Sequence, residues 1–123
     1  MLNRLRVHHV SFQHAWDGFV HTVRSQPNFR FHLLATICIV LLGIYYRLSQ
    51  GEWLILAFTV NLVLVAEMVN TSIEAMVDLI TQERREDARI AKDVSAGMVL
   101  VSAVTAIIVG FLIFYPKIVA SLS

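Results

Sequence analysis

Apolar and polar positions alternate along this chain in long blocks, not with the period of two that a half-buried strand requires. Apolar stretches run from Phe31 to Tyr46, from Trp53 to Ala66 with a weaker continuation to Ile80, and from Val94 to Tyr115. At about 1.5 Å per helical residue the last can cross a hydrocarbon core of about 30 Å, and three crossings is the simplest count. The first stretch is short, so it borrows Asn28 to Arg30 and Arg47 at its ends, where charged side chains snorkel to the headgroups. The pattern predicts membrane helices over about 28–47, 53–80 and 94–115. Upstream, Phe12, Ala15, Trp16, Phe19, Val20 and Val23 follow the i, i+3, i+4, i+7 spacing of an amphipathic helix over about 7–25 that lies on the membrane surface. Ser25-Gln26-Pro27 ends it, because Pro27 removes a donor and disfavours helix in the residue before it, while suiting the first position of the next helix. Thr81 to Asp93 is a charged connector, expected as a solvated loop with helical character. No repeat or linker divides the chain, so residues 1–123 form a single membrane domain of all-α class.

Composition agrees: 57% of residues are hydrophobic and 15% charged, with a mean hydropathy of +0.67, too apolar for an ordinary soluble domain of this size. The start of the chain is polar and aromatic and lacks the apolar core of a cleavable signal peptide. Eight basic residues, Arg4, Arg6, Arg24, Arg30, Arg84, Arg85, Arg89 and Lys92, lie on one side of the predicted spans, and two, Arg47 and Lys117, on the other. The positive-inside rule then sets the N-terminus and the second loop in the cytoplasm, in a bacterial inner membrane, with Tyr45, Tyr46, Trp53 and Tyr115 as an outer aromatic belt. A net charge of +1 argues against a nucleic-acid partner. The single cysteine, Cys38, forms no intrachain disulfide and is expected as a small apolar filler.

The chemistry is concentrated between Glu67 and Asp78. At about 100° per residue, Glu67, Asn70, Glu74 and Asp78 fall at roughly 0°, −60°, −20° and +20°, a single narrow stripe. Carboxylates at membrane depth are expensive and point to a metal, a phosphate or a proton path. Glu67 would lie inside the hydrocarbon boundary and Glu74 close to it, so the stripe runs from lipid to water. Structural readings compete at the other positions. Asp78 can pair with Arg84 or Arg85, Asp93 can cap the third span, and Asn61 can hydrogen-bond across helices. His14, Asp17 and His21 share a face but lack a fourth ligand for zinc, and His32 is expected as an interfacial residue. The row Ser102, Ala106 and Gly110 allows close helix approach. Three short helices leave the acidic stripe without enough protein around it, which points to an oligomer.

The run Glu67-Met-Val-Asn70-Thr-Ser-Ile-Glu74-Ala-Met-Val-Asp78, followed by Ala91-Lys92-Asp93-Val-Ser-Ala-Gly97, closely resembles the prokaryotic diacylglycerol kinase and undecaprenol kinase family. The likeness extends to Trp16-Asp17-Gly18 and to Gln26-Pro27-Asn28-Phe29-Arg30-Phe31-His32-Leu33, and its details are nearer the undecaprenol kinase branch. The resemblance implies a homotrimer of protomers with a surface helix and three membrane helices, which transfers the γ-phosphoryl group of ATP to a membrane lipid alcohol with Mg2+. On that resemblance Glu67 is the general base and contacts the lipid substrate, with Asn70 organising the site beside it. Glu74 is the metal ligand bridging to ATP, and Lys92 and Asp93 lie at the nucleotide, with Lys92 neutralising phosphate charge. Gln26 stands where many members carry a second metal-binding glutamate. Its amide oxygen can still coordinate the ion or touch ATP but brings no charge. No glycine-rich phosphate loop of the GxxxxGK[ST] kind is present.

Three functions stay open from the residues alone. A lipid kinase acting on undecaprenol or on diacylglycerol explains why the acidic stripe continues to the cytoplasmic side and is followed by Lys92. A small proton-coupled transporter or channel subunit would also use intramembrane carboxylates, but near the midplane and with matched half-helices. A non-catalytic scaffold subunit is the third.

Overall fold

The computed structural model describes the backbone of residues 2–123 and the side chains from residue 11 onward. It contains four helices in chain order, α1 (Leu2–Ser25), α2 (Pro27–Tyr45), α3 (Gln50–Ile80) and α4 (Glu86–Leu122). The last three are each long and apolar enough to cross a membrane. Most large apolar side chains point outward, among them Phe31, Phe58, Leu79 and Ile107, which suits a chain solvated by lipid.

The α1–α2 break is one residue wide. Gln26 adopts an extended backbone (φ −109°, ψ 106°) and caps α2 with Pro27 in its first turn, where the missing N–H costs nothing. Its own N–H still bonds to the Thr22 carbonyl at 2.9 Å, and its carbonyl accepts from Arg30 at 3.3 Å. Phe29, fully buried, meets Phe19 edge-on with ring centroids 5.7 Å apart, and this contact ties α1 to α2.

At the other end α2 closes in a Schellman turn. Leu48 N–H reaches the Gly43 carbonyl at 3.0 Å and Arg47 N–H reaches Ile44 at 3.2 Å, with Arg47 in the left-handed region at φ 52°. Gly43 permits this turn, since a Cβ there would come within 2.6 Å of the Trp53 ring. The next helix begins with a capping box in which Ser49 Oγ accepts from Glu52 N–H at 3.2 Å and the Glu52 carboxylate accepts from Ser49 N–H at 2.7 Å.

The α3–α4 pair forms the backbone of the fold, and α2 packs on α3. The α3 face that packs carries Leu56, Thr59, Val63, Ala66, Glu67 and Asn70. An apolar cluster of Leu48, Leu56, Ile113 and Phe114 closes the aromatic end. There Lys117 pairs with Glu52 at 3.0 Å, holding the last turns of α4 against the first turn of α3.

Three details differ from the sequence pattern. Helix α4 begins at Glu86, because Glu86 and Asp87 occupy its first turn and Arg89 bridges Glu86 and Asp93 at 2.6 and 2.8 Å; opposite charges one turn apart support a solvated helix. Asp93 is therefore an interior helical residue and caps nothing. The helix also continues through Pro116 to Leu122. In the small-residue row only Ser102 is buried, while a Cβ on Gly110 would meet nothing within 4 Å, so Gly110 leaves space within the chain and is not a point of close approach.

Candidate functional site

The stripe predicted on α3 becomes a graded series of environments. Glu67 is the most enclosed, 2% exposed, with Oε1 3.6 Å from Nε2 of His32 on α2. One turn on, Asn70 is buried and hydrogen-bonded on both sides of its amide. Ser95 Oγ donates to Asn70 Oδ1 at 2.6 Å, and Asn70 Nδ2 donates to Glu74 Oε1 at 3.3 Å. The link from α4 through Asn70 to Glu74 fixes that carboxylate and leaves it only half-buried. Asn70 is therefore held from both sides, which fixes its amide orientation, whereas the Glu67 carboxylate has, among the described residues, only the 3.6 Å approach of His32.

Toward the charged connector, Lys92 Nζ meets Asp78 Oδ1 at 2.6 Å. Asp78 thus pairs across to α4 and not with Arg84 or Arg85. Lys92 and Asp78 line a polar cleft of ≈ 530 Å³ whose walls carry Arg84, Arg85 and Arg89 together with Glu83 and Glu86. Asp93, exposed, faces Arg89. Gln26, half-buried, makes no side-chain capping bond.

Asn70, Glu74 and Ser95 thus belong to one bonded arrangement, which Lys92 joins through its carbonyl, 2.9 Å from Ser95 Oγ, while the Glu67 carboxylate lies one turn away and faces His32 instead. Asp93 stands outside that arrangement, and the structure gives Gln26 no bond to it. Ser95 was not singled out from sequence, and His32 was expected only as an interfacial residue. Ser95 lies in the run after Lys92-Asp93 and, at one turn from Lys92, shares its face. His32 lies about 7.5 Å along α2 from Pro27, a depth that brings it beside Glu67. Asn61 makes no hydrogen bond across helices within the chain. It is exposed, on the side of α3 away from α4.

Between α2 and α4 the fold is open. The two helices make no backbone contact, and the gap is an apolar groove of ≈ 540 Å³ floored by Val63 and walled by Ala35, Leu42, Ala106, Phe111 and Phe114, with His32 among its lining residues. The groove faces the apolar surroundings of the helices, whereas the Lys92 cleft belongs to the charged connector. The two openings thus differ in chemistry, one apolar and one lined by charges of both signs.

Comparison with known proteins gives this arrangement a context. Residues 13–114 match the family described as prokaryotic diacylglycerol kinase. The chain is 41% identical over 115 residues to an undecaprenol kinase of Bacillus subtilis, covering 94% of each chain. It is 37% identical over 112 residues to a diacylglycerol kinase of Synechocystis, covering 90% of this chain and 64% of that one. With a diacylglycerol kinase of Escherichia coli the identity is 28% over 95 residues, 77% of this chain and 78% of the relative.

Proposed function

The chain belongs to the prokaryotic diacylglycerol kinase family, and on that footing we propose that it transfers the γ-phosphoryl group of ATP to the hydroxyl of undecaprenol, with diacylglycerol as the alternative acceptor. The observation that carries this reading is the pair of openings, an apolar groove and a polar cleft of mixed charge in which Arg84 and Arg85 have no carboxylate partner among the described residues, beside one polar layer on α3 and α4. Greater similarity to the undecaprenol kinase and a purely apolar groove wall apart from His32 favour the polyprenol. Charge asymmetry across the spans supports a cleft, and so a reaction, on the cytoplasmic side of a bacterial inner membrane. On this reading α1 lies on that surface, with the exposed Phe12 and Trp16 in the headgroup layer.

Phosphoryl transfer needs positioning and charge stabilisation more than covalent chemistry. Lys92, held by Asp78, offers its ammonium to the phosphates, and Arg84 and Arg85 add positive charge around the cleft. Asp93 keeps Arg89 at the same end. Glu67 takes the proton of the attacking hydroxyl, while Asn70 and Ser95 keep the neighbouring Glu74 in one orientation.

The donors suit Mg2+ in a particular sense. Among the described residues no three His, Cys, Asp or Glu side chains group as a metal site, so the protein offers no closed cage. Mg2+ is commonly held by one or two carboxylates with substrate phosphates and water, and the Glu74 carboxylate with the Gln26 amide oxygen are hard donors of that kind. Bound there, the ion would neutralise charge on the triphosphate.

A homotrimer completes the reading. Leu54, Phe58, Asn61, Val65, Met68, Ser72, Ala75 and Leu79 repeat at alternating intervals of four and three on a side of α3 that is exposed at every one of these positions except the half-buried Met68. An amide at membrane depth needs a polar partner, and copies inserted with one orientation bring their Asn61 residues to the same depth. The direct test is transfer of labelled γ-phosphate from MgATP in mild detergent across a panel of polyprenols and diacylglycerols. Label in the polyprenol supports the proposal, label confined to diacylglycerol selects the alternative, and label in no lipid overturns both.

A further inference from the structure

The residue assigned as base is hidden from the groove that would deliver the alcohol. Glu67 is 2% exposed and lines neither the large groove nor the adjoining cavity of ≈ 90 Å³. His32 lines both, and its side chain, 19% exposed, stands 3.6 Å from the Glu67 carboxylate. The remaining polar side chains on these walls are Thr36 and Thr59, whose hydroxyls donate to the carbonyls of His32 and Ile55 at 2.7 and 2.8 Å. An alcohol entering between α2 and α4 therefore meets one side chain able to accept its proton.

We propose that His32 is a catalytic residue of the kinase reaction, a proton relay between the acceptor hydroxyl and Glu67; the inference rests on the kinase reading above. In the neutral imidazole one ring nitrogen carries hydrogen and the other a lone pair. Nε2 faces Glu67, so the relay assigns the ring hydrogen to Nε2 and the accepting lone pair to Nδ1. As the lipid oxygen forms its bond to the γ-phosphorus, the bond from that phosphorus to the β,γ-bridging oxygen breaks and its electron pair leaves on ADP. The hydroxyl proton moves to Nδ1 while the Nε2 proton moves to Glu67 Oε1, so the ring stays neutral and the carboxylate ends protonated. Loss of that proton to water and return of the tautomer reset the pair. A neutral carrier avoids placing a cation in the apolar groove, and a separation of 3.6 Å needs only a small closure to become a hydrogen bond, as unliganded sites commonly require.

The test compares wild type with His32→Gln and His32→Gly in MgATP-dependent phosphorylation of a long-chain polyprenol. His32→Gln keeps an amide of similar reach but cannot carry a proton through. Its kcat should fall by about 10²-fold or more, the usual contribution of acid–base catalysis, with KM for MgATP within about two-fold, as expected when an interaction specific to the transition state is lost. Added imidazole should restore part of the kcat of His32→Gly, which a packing role would not produce. A His32→Gln variant within about three-fold of wild type overturns the relay, as does a His32→Gly variant that binds nucleotide normally yet gains nothing from imidazole. A wild-type protein that labels no lipid overturns the kinase reading itself, whereas an active wild type beside an unimpaired His32→Gln variant overturns this inference alone.

Discussion

Glu67 and Glu74 lie two turns apart on α3 in different surroundings, and substitution should affect them differently. Glu67 is enclosed and faces His32, so Glu67→Gln is expected to abolish transfer while leaving MgATP binding within a few-fold of wild type, read by nucleotide titration beside turnover. Near-normal turnover would remove Glu67 from the mechanism. Glu74 is half-buried and oriented by Asn70. Its replacement by Gln should raise the Mg2+ concentration at half-maximal activity, since a hard cation prefers carboxylate to amide oxygen; an unchanged requirement would refute the ligand assignment. Gln26 tests the same ion from the other side. Gln26→Glu should lower that concentration by a few-fold, about 1 kcal/mol, and superimposable Mg2+ and ATP titrations would show that residue 26 touches neither. At this scale the stripe from Glu67 to Asp78 was legible because a helix of known pitch puts those residues on one face. The partners of its members were not, because Ser95 and His32 come from other helices and their register depends on how α2 and α4 pack on α3.

Among the elements, the α2–α3 turn shows how local signals and packing combine. Ser49-Gln50-Gly51-Glu52 has the spacing of a capping box, so the start of α3 at Gln50 was available in the sequence, three residues before the apolar stretch suggests. The role of Gly43 was not, because it depends on where the Trp53 ring lands. Gly43→Ala must displace that ring or the Leu48 side chain, and the expected cost is about 1–3 kcal/mol. Thermal unfolding in detergent should show a lower midpoint with little change in KM for MgATP; an unchanged midpoint would mean that the turn relaxes freely. The early start of α4 has a similar lesson. Hydropathy finds where lipid begins, whereas the helix begins where Glu86, Arg89 and Asp93 can pair in water.

For the whole molecule, the outward row on α3 makes the oligomer testable at a single polar residue. Asn61→Leu removes the one amide of that row while keeping its apolar character. If copies of α3 meet there, the variant should dissociate at a lower detergent dilution than wild type, by roughly the 0.6–1.7 kcal/mol of an interhelical hydrogen bond in a membrane, as read by crosslinking or light scattering. An unchanged dissociation curve would exclude Asn61 from the contact. The fold class was legible from apolar block lengths alone, since they are set by the thickness of the bilayer. The gap between α2 and α4 was not, because small residues such as Ala106 and Gly110 look the same in sequence whether they bring helices together or hold them apart.

That gap also determines the units in which one substrate must be counted. The groove opens sideways between α2 and α4, so an alcohol using it arrives by diffusion in two dimensions, and its effective concentration is its mole fraction in the bilayer or micelle. ATP arrives from solution and is counted per volume. Adding inert detergent at fixed total lipid should therefore slow turnover as though the acceptor had been diluted, while leaving the half-saturating ATP concentration in place. Adding buffer at a fixed lipid-to-detergent ratio should do neither, provided ATP and Mg2+ are held constant.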